Sequence, residues 1–320
     1  MLIDSATERL HGGPAGFEHR AFVYTDEEEF VDRAAPFVRA GVTAGEVVLV
    51  AVPQPRIELL REDLGAYADQ VTFVDMAEAG RNPARIIPLW QSLLDENPGR
   101  PVRGLGEPAY PGRSSAEIEE AKLHEALLNI AFEHSGPFQL HCPYDASILS
   151  HDVSIAETHP VVLPSEPGRH LPAGHGPAWA EVAEKTFRTP LAVVPEEAER
   201  RTFGPAELSD LRAWVTAWAQ SYGLSTDCNG DLAVSLHEIC TNTIRFGGGH
   251  GTISRWQDGS SLICDVADTG HISDLLVGRV LAPVTREGGR GVWLANQLCD
   301  LVQIRSADGH TQVRLHMALG

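Results

Sequence analysis

The sequence predicts two folded parts of different class: a parallel α/β sheet first, then an antiparallel α+β sandwich. Three observations carry this reading. Apolar runs of strand length alternate with runs of helix length through the first half. The alternation stops at a Pro-, Gly- and His-rich stretch, residues 159–179. Beyond it the order becomes two helices, a hairpin, a loop, a helix and a second hairpin.

The first strand is "AFVY" (21–24), followed by an acidic helix start in which Thr25 caps and Glu28 closes a capping box. "EVVLVAV" (46–52) is continuously apolar, as a strand covered on both faces should be. Helix "QPRIELLREDLG", strand "VTFVDM" (71–76), helix "NPARIIPLWQSLLDEN" and strand "VRGLGE" (102–107) follow. Helix "SAEIEEAKLHEALLNIAFEH" and strand "FQLHC" (138–142) complete a βαβ series, hence a parallel sheet with helices on both faces. Such a sheet binds ligands beyond the carboxyl ends of its strands. The segments there ("VPQP", "DMAEAG", "GEPAYPGR", "CPYDAS") contain no GxxxxGK[ST] loop and no GxGxxG fingerprint.

Residues 161–204 read as a linker and a partly helical transitional segment. His159, His170 and His175 match no standard metal spacing and are expected to be solvated. In "GPAELSDLRAWVTAWAQSYGL" the apolar positions Leu208, Leu211, Trp214, Val215 and Trp218 fall at helical spacing and read as core. "GTISRWQ" and "SLICDVAD" flank a "DG" turn, a hairpin signal. A loop (271–287), helix "VWLANQLCD" and the strand pair "LVQIRSADGHTQVRLHM" close the chain.

Composition narrows the function classes. The net charge is −19; twelve acidic and eight Lys/Arg residues in 205–320 make −4 there and leave −15 on residues 1–204. That balance argues against direct nucleic-acid or anionic-membrane binding and leaves a basic protein partner open. No apolar run reaches spanning length, and the N-terminus reads as a loose leader rather than a signal peptide, so a cytoplasmic protein is expected. Five scattered cysteines without a CxxC pair read as reduced, largely buried thiols.

The chemistry gathers in the second part. In "LHEICTNTIRFGGG" (236–249) Glu238 and Asn242 stand four residues apart, on one helix face. A carboxylate there accepts a hydroxyl proton, and a neutral amide oxygen suits Mg²⁺. "DVADTG" puts Asp268 at a strand end before Gly270, where a carboxylate accepts from an exocyclic amine. "GGRG" (288–291) opens a helix whose amides can meet phosphates, and Thr311 starts the last strand. Each piece alone also fits a solvated face, a turn or a cap; their order makes the set specific.

Residues from about 205 to 320 resemble the GHKL, or Bergerat-fold, ATPase module, and within it the anti-sigma-factor serine kinases of actinobacteria. "HEICTN" resembles the N-box, "DTG" the first glycine box and "GGRGVWLANQLCDLV" the second. The resemblance implies ATP with Mg²⁺: Glu238 as catalytic base, Asn242 as Mg²⁺ ligand and Asp268 reading the adenine amine. Gly270 then makes room for the ring, Gly289 and Gly291 meet the phosphates, and Thr311 lies near the adenine. The sequence departs from the pattern at Ile272, where a second glycine is usual, and at Phe246, near the usual place of a His. Loop 271–287 is short for an ATP lid; Arg279, Arg286 and Arg290 stand in and beside it in place of a lysine.

Residues of about 17–160 resemble the MEDS sensory domain, through "FVYTDEEEFVDRAAPFVRAG", "GEPAYPGRSSAEIEEAKLHEALLNIAF" and "CPYDASILSHDVSIAETHP". The resemblance implies a RecA-like sheet without its phosphate loop, and a cleft for an unknown small ligand. Candidate cleft residues are Glu107, Tyr110, Arg113, His124, Glu125 and Tyr144, with His141 and Asn129 beside them. A metal site of Cys142, His141 and His124 is an alternative reading of the same region. The expected layout is 1–160 sensory, 161–204 linker and 205–320 ATPase-like. The combination resembles the RsbA family of anti-sigma regulators. It implies a homodimer that binds a sigma factor and phosphorylates Ser/Thr of an antagonist protein, as part of stress-response transcription control. Two alternatives stay open: a non-catalytic sigma-factor-binding module, and a two-component histidine kinase, for which helix 205–222 lacks the phosphoacceptor His.

Overall fold

The computed structural model describes residues 16–149, 155–164, 178–281, 290–307 and 309–319. The chain forms two compact units, each containing one sheet.

The first sheet follows from the apolar strand runs. In chain order the elements are β1 (Phe17–Tyr24), α1 (Glu27–Thr43), β2 (Val47–Val52), α2 (Gln54–Leu64), β3 (Thr72–Asp75), the single turn α3 (Met76–Ala79) and α4 (Ile86–Glu96). β4 (Val102–Gly106), α5 (Ser115–Ala131), β5 (Phe138–Asp145), the turn α6 (Ile155–Thr158) and β6 (Val161–Leu163) follow. All strands run parallel, in the order β3-β2-β4-β5-β1-β6. Val48, Val50 and Val52 of β2 are buried on one face with Phe22, Phe30, Val38 and Leu60, and Leu49 and Ala51 are buried on the other, the two-sided burial that a continuous apolar strand requires.

Three local expectations shift. The α1 cap is Asp26, not Thr25: its carboxylate accepts from Glu29 N, while the Glu29 carboxylate accepts from Thr25 N. Thr25/Glu28 and Asp26/Glu29 both have the box spacing, and the charged carboxylate is the stronger acceptor. Val161–Leu163, expected in the linker, pairs parallel to β1 as an edge strand; prolines on both sides keep it short. His159, expected in solvent, is only 1% exposed. His170 and His175 lie outside the described residues.

The second sheet is antiparallel, in the order β10-β11-β9-β8-β7. Its elements are α7 (Ala178–Arg188), β7 (Glu199–Phe203), α8 (Leu208–Ser221), α9 (Thr226–Phe246), β8 (Gly251–Asp258), β9 (Ser261–Asp268), α10 (Arg290–Leu298), β10 (Leu301–Ala307) and β11 (His310–Ala318). Leu211, Val215 and Trp218 of α8 join Leu236, Ile239, Ile253, Val266 and Leu315 in one core. β7 falls where the sequence reads as transitional. Four of its five residues, Glu199 to Thr202, are exposed, so it shows no alternation to read. Such charge on an edge strand discourages further pairing.

Candidate functional site

Helix α9 starts at Ser225, whose hydroxyl accepts from Cys228 N, and carries Glu238 and Asn242 one turn apart near its end. It stops at Gly247. Gly248 and Gly249 then take φ of 92° and 87°, the left-handed region in which glycine is at ease. Gly247 is there for a different reason: a Cβ on it would lie 2.3 Å from the carboxyl carbon of Asp268.

Asp268 ends β9 and is held from two sides. Thr243 Oγ1 donates to its Oδ2 at 2.7 Å, and Gly270 N donates to its Oδ1 at 2.8 Å. Thr311, the second residue of β11 and paired with Asp268, donates to Gly270 O at 3.0 Å. That carbonyl can only accept, so the proton at the 2.8 Å Ser306–Thr311 contact comes from Ser306. Ser306 in turn accepts from Ile272 N at 2.8 Å. A directed chain, Ile272 N–H to Ser306 to Thr311 to Gly270 O, therefore fixes the loop after "DTG".

These groups border one cavity of about 270 Å³, lined among others by Asn242, Asp268, Gly270, Ile272 and Thr311. Its walls combine apolar side chains, Ile239, Val292 and Val313, with a few polar groups. Glu238 adjoins the site through Gly291 in the first turn of α10. A Cβ on Gly291 would stand 2.5 Å from Glu238 Oε2 and 3.4 Å from Asn242 Nδ2. Gly289 and Arg286 lie outside the described residues. Arg279 is buried and does not line the cavity, whereas Arg290 is exposed.

Two family models match the sequence. The methanogen/methylotroph DcmR sensory (MEDS) domain matches residues 18–160, and the histidine kinase-like ATPase domain matches residues 202–317. The chain is a MEDS domain joined to a histidine kinase-like ATPase domain. A search of the curated proteins finds no match. Among solved structures, the RsbU and RsbW domains of Rv1364c from Mycobacterium tuberculosis are similar, at 16% identity and a TM-score of 0.30. That match covers 39% of this chain and 33% of that one.

The ATPase domain belongs to a class that binds ATP. The residues present fit such a ligand. A carboxylate held by two donors borders a partly apolar cavity, and Gly247 and Gly270 let the chain pack against that carboxylate so closely that a Cβ on either would lie 2.3–3.0 Å from protein atoms. Sequence reasoning missed Thr243, Gly247 and Ser306. Ser306 left a faint signal as a small polar residue directly opposite Thr311 in a strand pair.

Of the six cleft candidates in the MEDS domain, Glu125 and Tyr144 both adjoin His159. Glu107 is 1% exposed and accepts from Tyr24 Oη at 2.5 Å. Burial pushes its carboxyl up to about 7, against the opposing pull of that hydrogen bond and of Arg56. Arg113 stacks its guanidinium over Tyr110, 4.5 Å from the ring centroid. His124 and Glu125 are buried, and Tyr144 packs edge-on against His159 at 5.6 Å. His141 stacks on Phe37 at 3.6 Å, and burial lowers its ring to about 3. His141 and Cys142 are consecutive on β5 and so point to opposite faces of the sheet. A shared Cys142/His141 metal site is thereby ruled out.

Proposed function

We propose that the ATPase domain binds ATP with Mg²⁺, binds a sigma factor, and phosphorylates a Ser/Thr hydroxyl of an antagonist protein. The observation that carries this reading is that Asn242, Asp268, Gly270 and Thr311 line one cavity, with Glu238 adjoining through Gly291. In this reading Asp268 accepts from the adenine amine, Gly270 borders the ring, and Gly247 lets the Asp268 carboxylate pack close against the end of α9. Asn242 offers the neutral oxygen that holds Mg²⁺, and the metal supplies charge neutralisation to the phosphates. Amides at the start of α10, beside Gly291, face the phosphate end. Glu238 accepts the proton of the attacking hydroxyl. The MEDS domain senses a small ligand and biases this activity, a coupling of two sites. Domain order alone supports that last step, and deletion of residues 1–160 tests it: unchanged ATP affinity, partner affinity and turnover would remove it.

The test is calorimetric ATP binding to the whole chain with and without Mg²⁺, then transfer to candidate antagonists. Mg²⁺-dependent binding that Asn242→Ala abolishes, with acid-stable phosphate transfer that Glu238→Gln abolishes, supports the kinase. One observation favours a second reading, a non-catalytic sigma-factor-binding module: the Ile272 side chain lines the cavity where the resemblance calls for glycine. No binding at saturating ATP selects that reading. Acid-labile phosphate on a histidine would select a histidine kinase instead.

A further inference from the structure

Four buried side chains of the MEDS domain converge on one point that the ATP-site reading does not use. They are His19 on β1, Glu125 on α5, Cys142 on β5 and His159 just after α6. Each is 1% exposed, and one ligand-capable atom from each lies within 4.8 Å of all the others. The fold explains the meeting. β1 and β5 pair in parallel with Ala21 opposite Cys142, so His19 and Cys142 are diagonal neighbours on one sheet face. Asn129 stands one helical turn beyond Glu125, so α5 presents both to that face.

The surrounding hydrogen bonds set the tautomers. Asn129 Nδ2 donates to Thr158 O at 2.8 Å, which leaves Asn129 Oδ1 to accept from His19 Nδ1 at 3.1 Å. The His19 proton is then on Nδ1, and the Nε2 lone pair faces Cys142 Sγ at 3.3 Å. His159 follows the same pattern: its Nδ1 lies 3.0 Å from both Ile155 O and Thr158 Oγ1, and because the carbonyl can only accept, the proton sits on Nδ1 and the lone pair on Nε2. A histidine whose one nitrogen donates to a carbonyl or amide oxygen, leaving the other a lone pair, has the outer-shell arrangement of metal-binding histidines. The 3.3 Å separation is close to the edge of a tetrahedron built from Zn–N and Zn–S bonds, about 3.6 Å.

We propose that His19, Cys142, His159 and Glu125 bind one divalent transition-metal cation of the Zn²⁺ class. The first three make a three-point set of two imidazoles and one thiolate; Glu125 completes it. Binding replaces the Cys142 S–H proton by an S–metal bond, and that proton leaves to solvent. With a thiolate and a carboxylate, the dication is neutralised, which a site buried to this degree requires. The soft sulfur selects Zn²⁺ or Co²⁺ over Mg²⁺ and Ca²⁺. The ligands come from β1, β5, α5 and the segment leading into β6, so occupancy ties the edge strand to the sheet centre.

The experiment strips the full-length protein with a chelator and titrates it with Co²⁺, then displaces Co²⁺ with Zn²⁺. The expected result is one equivalent of Co²⁺ with tetrahedral d–d bands and a thiolate-to-cobalt charge-transfer band. Cys142→Ser removes the charge-transfer band and Cys240→Ser leaves it. Asn129→Ala keeps the band and weakens affinity about 10–100-fold. Circular dichroism checks that each variant is folded. Wild-type protein without the charge-transfer band overturns the site, whatever the variants do. A band that persists in Cys142→Ser, or octahedral Co²⁺ alone, overturns it as well. Because the readout needs no ATP, failure here is distinct from failure of the kinase reading.

Discussion

Thr243 and Asp268 are 25 residues apart in sequence, yet the Thr243 hydroxyl donates to Asp268 Oδ2 at 2.7 Å. The helix that carries Glu238 and Asn242 therefore also holds the carboxylate that borders the cavity with Asn242. Thr243→Val removes that donor while keeping the volume. The expected outcome is ATP affinity lowered about 10-fold, the loss of one hydrogen bond to a charged group. Thr243→Ser should restore most of it. Calorimetry on the three proteins checks the order.

Gly247 has φ of −98°, which any residue can adopt. Its constraint is steric, since a Cβ there would meet all three terminal atoms of Asp268 within 2.6 Å. Gly247→Ala should cost about 1–3 kcal/mol of stability and displace Asp268 from the cavity. Loss of ATP binding in a protein that still unfolds cooperatively is the expected reading. Gly259→Ala offers a contrast, because that site has φ of 55° and open space around it. It should lose stability through backbone strain and keep ATP affinity.

Ser306 and Thr311 face each other across β10 and β11 and relay a bond from Ile272 N to Gly270 O. Both side chains are buried. Ser306→Ala leaves Ile272 N without that acceptor and should cost about 1–3 kcal/mol. Ser306→Ala and Thr311→Ala should be strongly non-additive, because either one breaks the same chain. A double-mutant cycle by urea unfolding measures the coupling; additive losses would count against the relay.

Glu107 gives a pH prediction with a definite sign. Its folded carboxyl titrates at about 7, against 4.5 when exposed. Between those values the folded chain holds a proton that the unfolded chain has released, so this group's contribution to stability is full below 4.5 and falls as pH rises through 7. The swing is at most about 3 kcal/mol. His141 and His316, lowered to about 3 and about 4, act oppositely: each favours the folded state more as pH rises toward 6.5. The informative quantity is therefore the difference between wild type and Glu107→Gln. Wild type should lose stability relative to the variant from pH 4.5 to 7. A flat difference would mean that Glu107 titrates normally.

The sequence by itself determined the periodicities, and through them most elements and both sheet classes. The run 47–52 is apolar because both faces of β2 are covered, and that requirement is written in every residue of it. The pairing of Glu238 with Asn242 was legible because helical spacing is local. So were the turn positions of Gly248 and Gly249. β7 was not legible, since an edge strand exposed at four of five positions leaves no alternation. Nor were the directed chain through Ser306 or the group around Cys142. Ser306 meets Thr311, and His19 meets Cys142, only after strand register is set. His159 looked like a linker histidine until β6 paired with β1 and buried it. Tertiary structure decided the contacts of His19, Cys142 and His159 because strand pairing there joins residues more than a hundred positions apart, while Ser306 and Thr311, five apart, wait on the register of one hairpin; nothing local in either partner encodes which register will form.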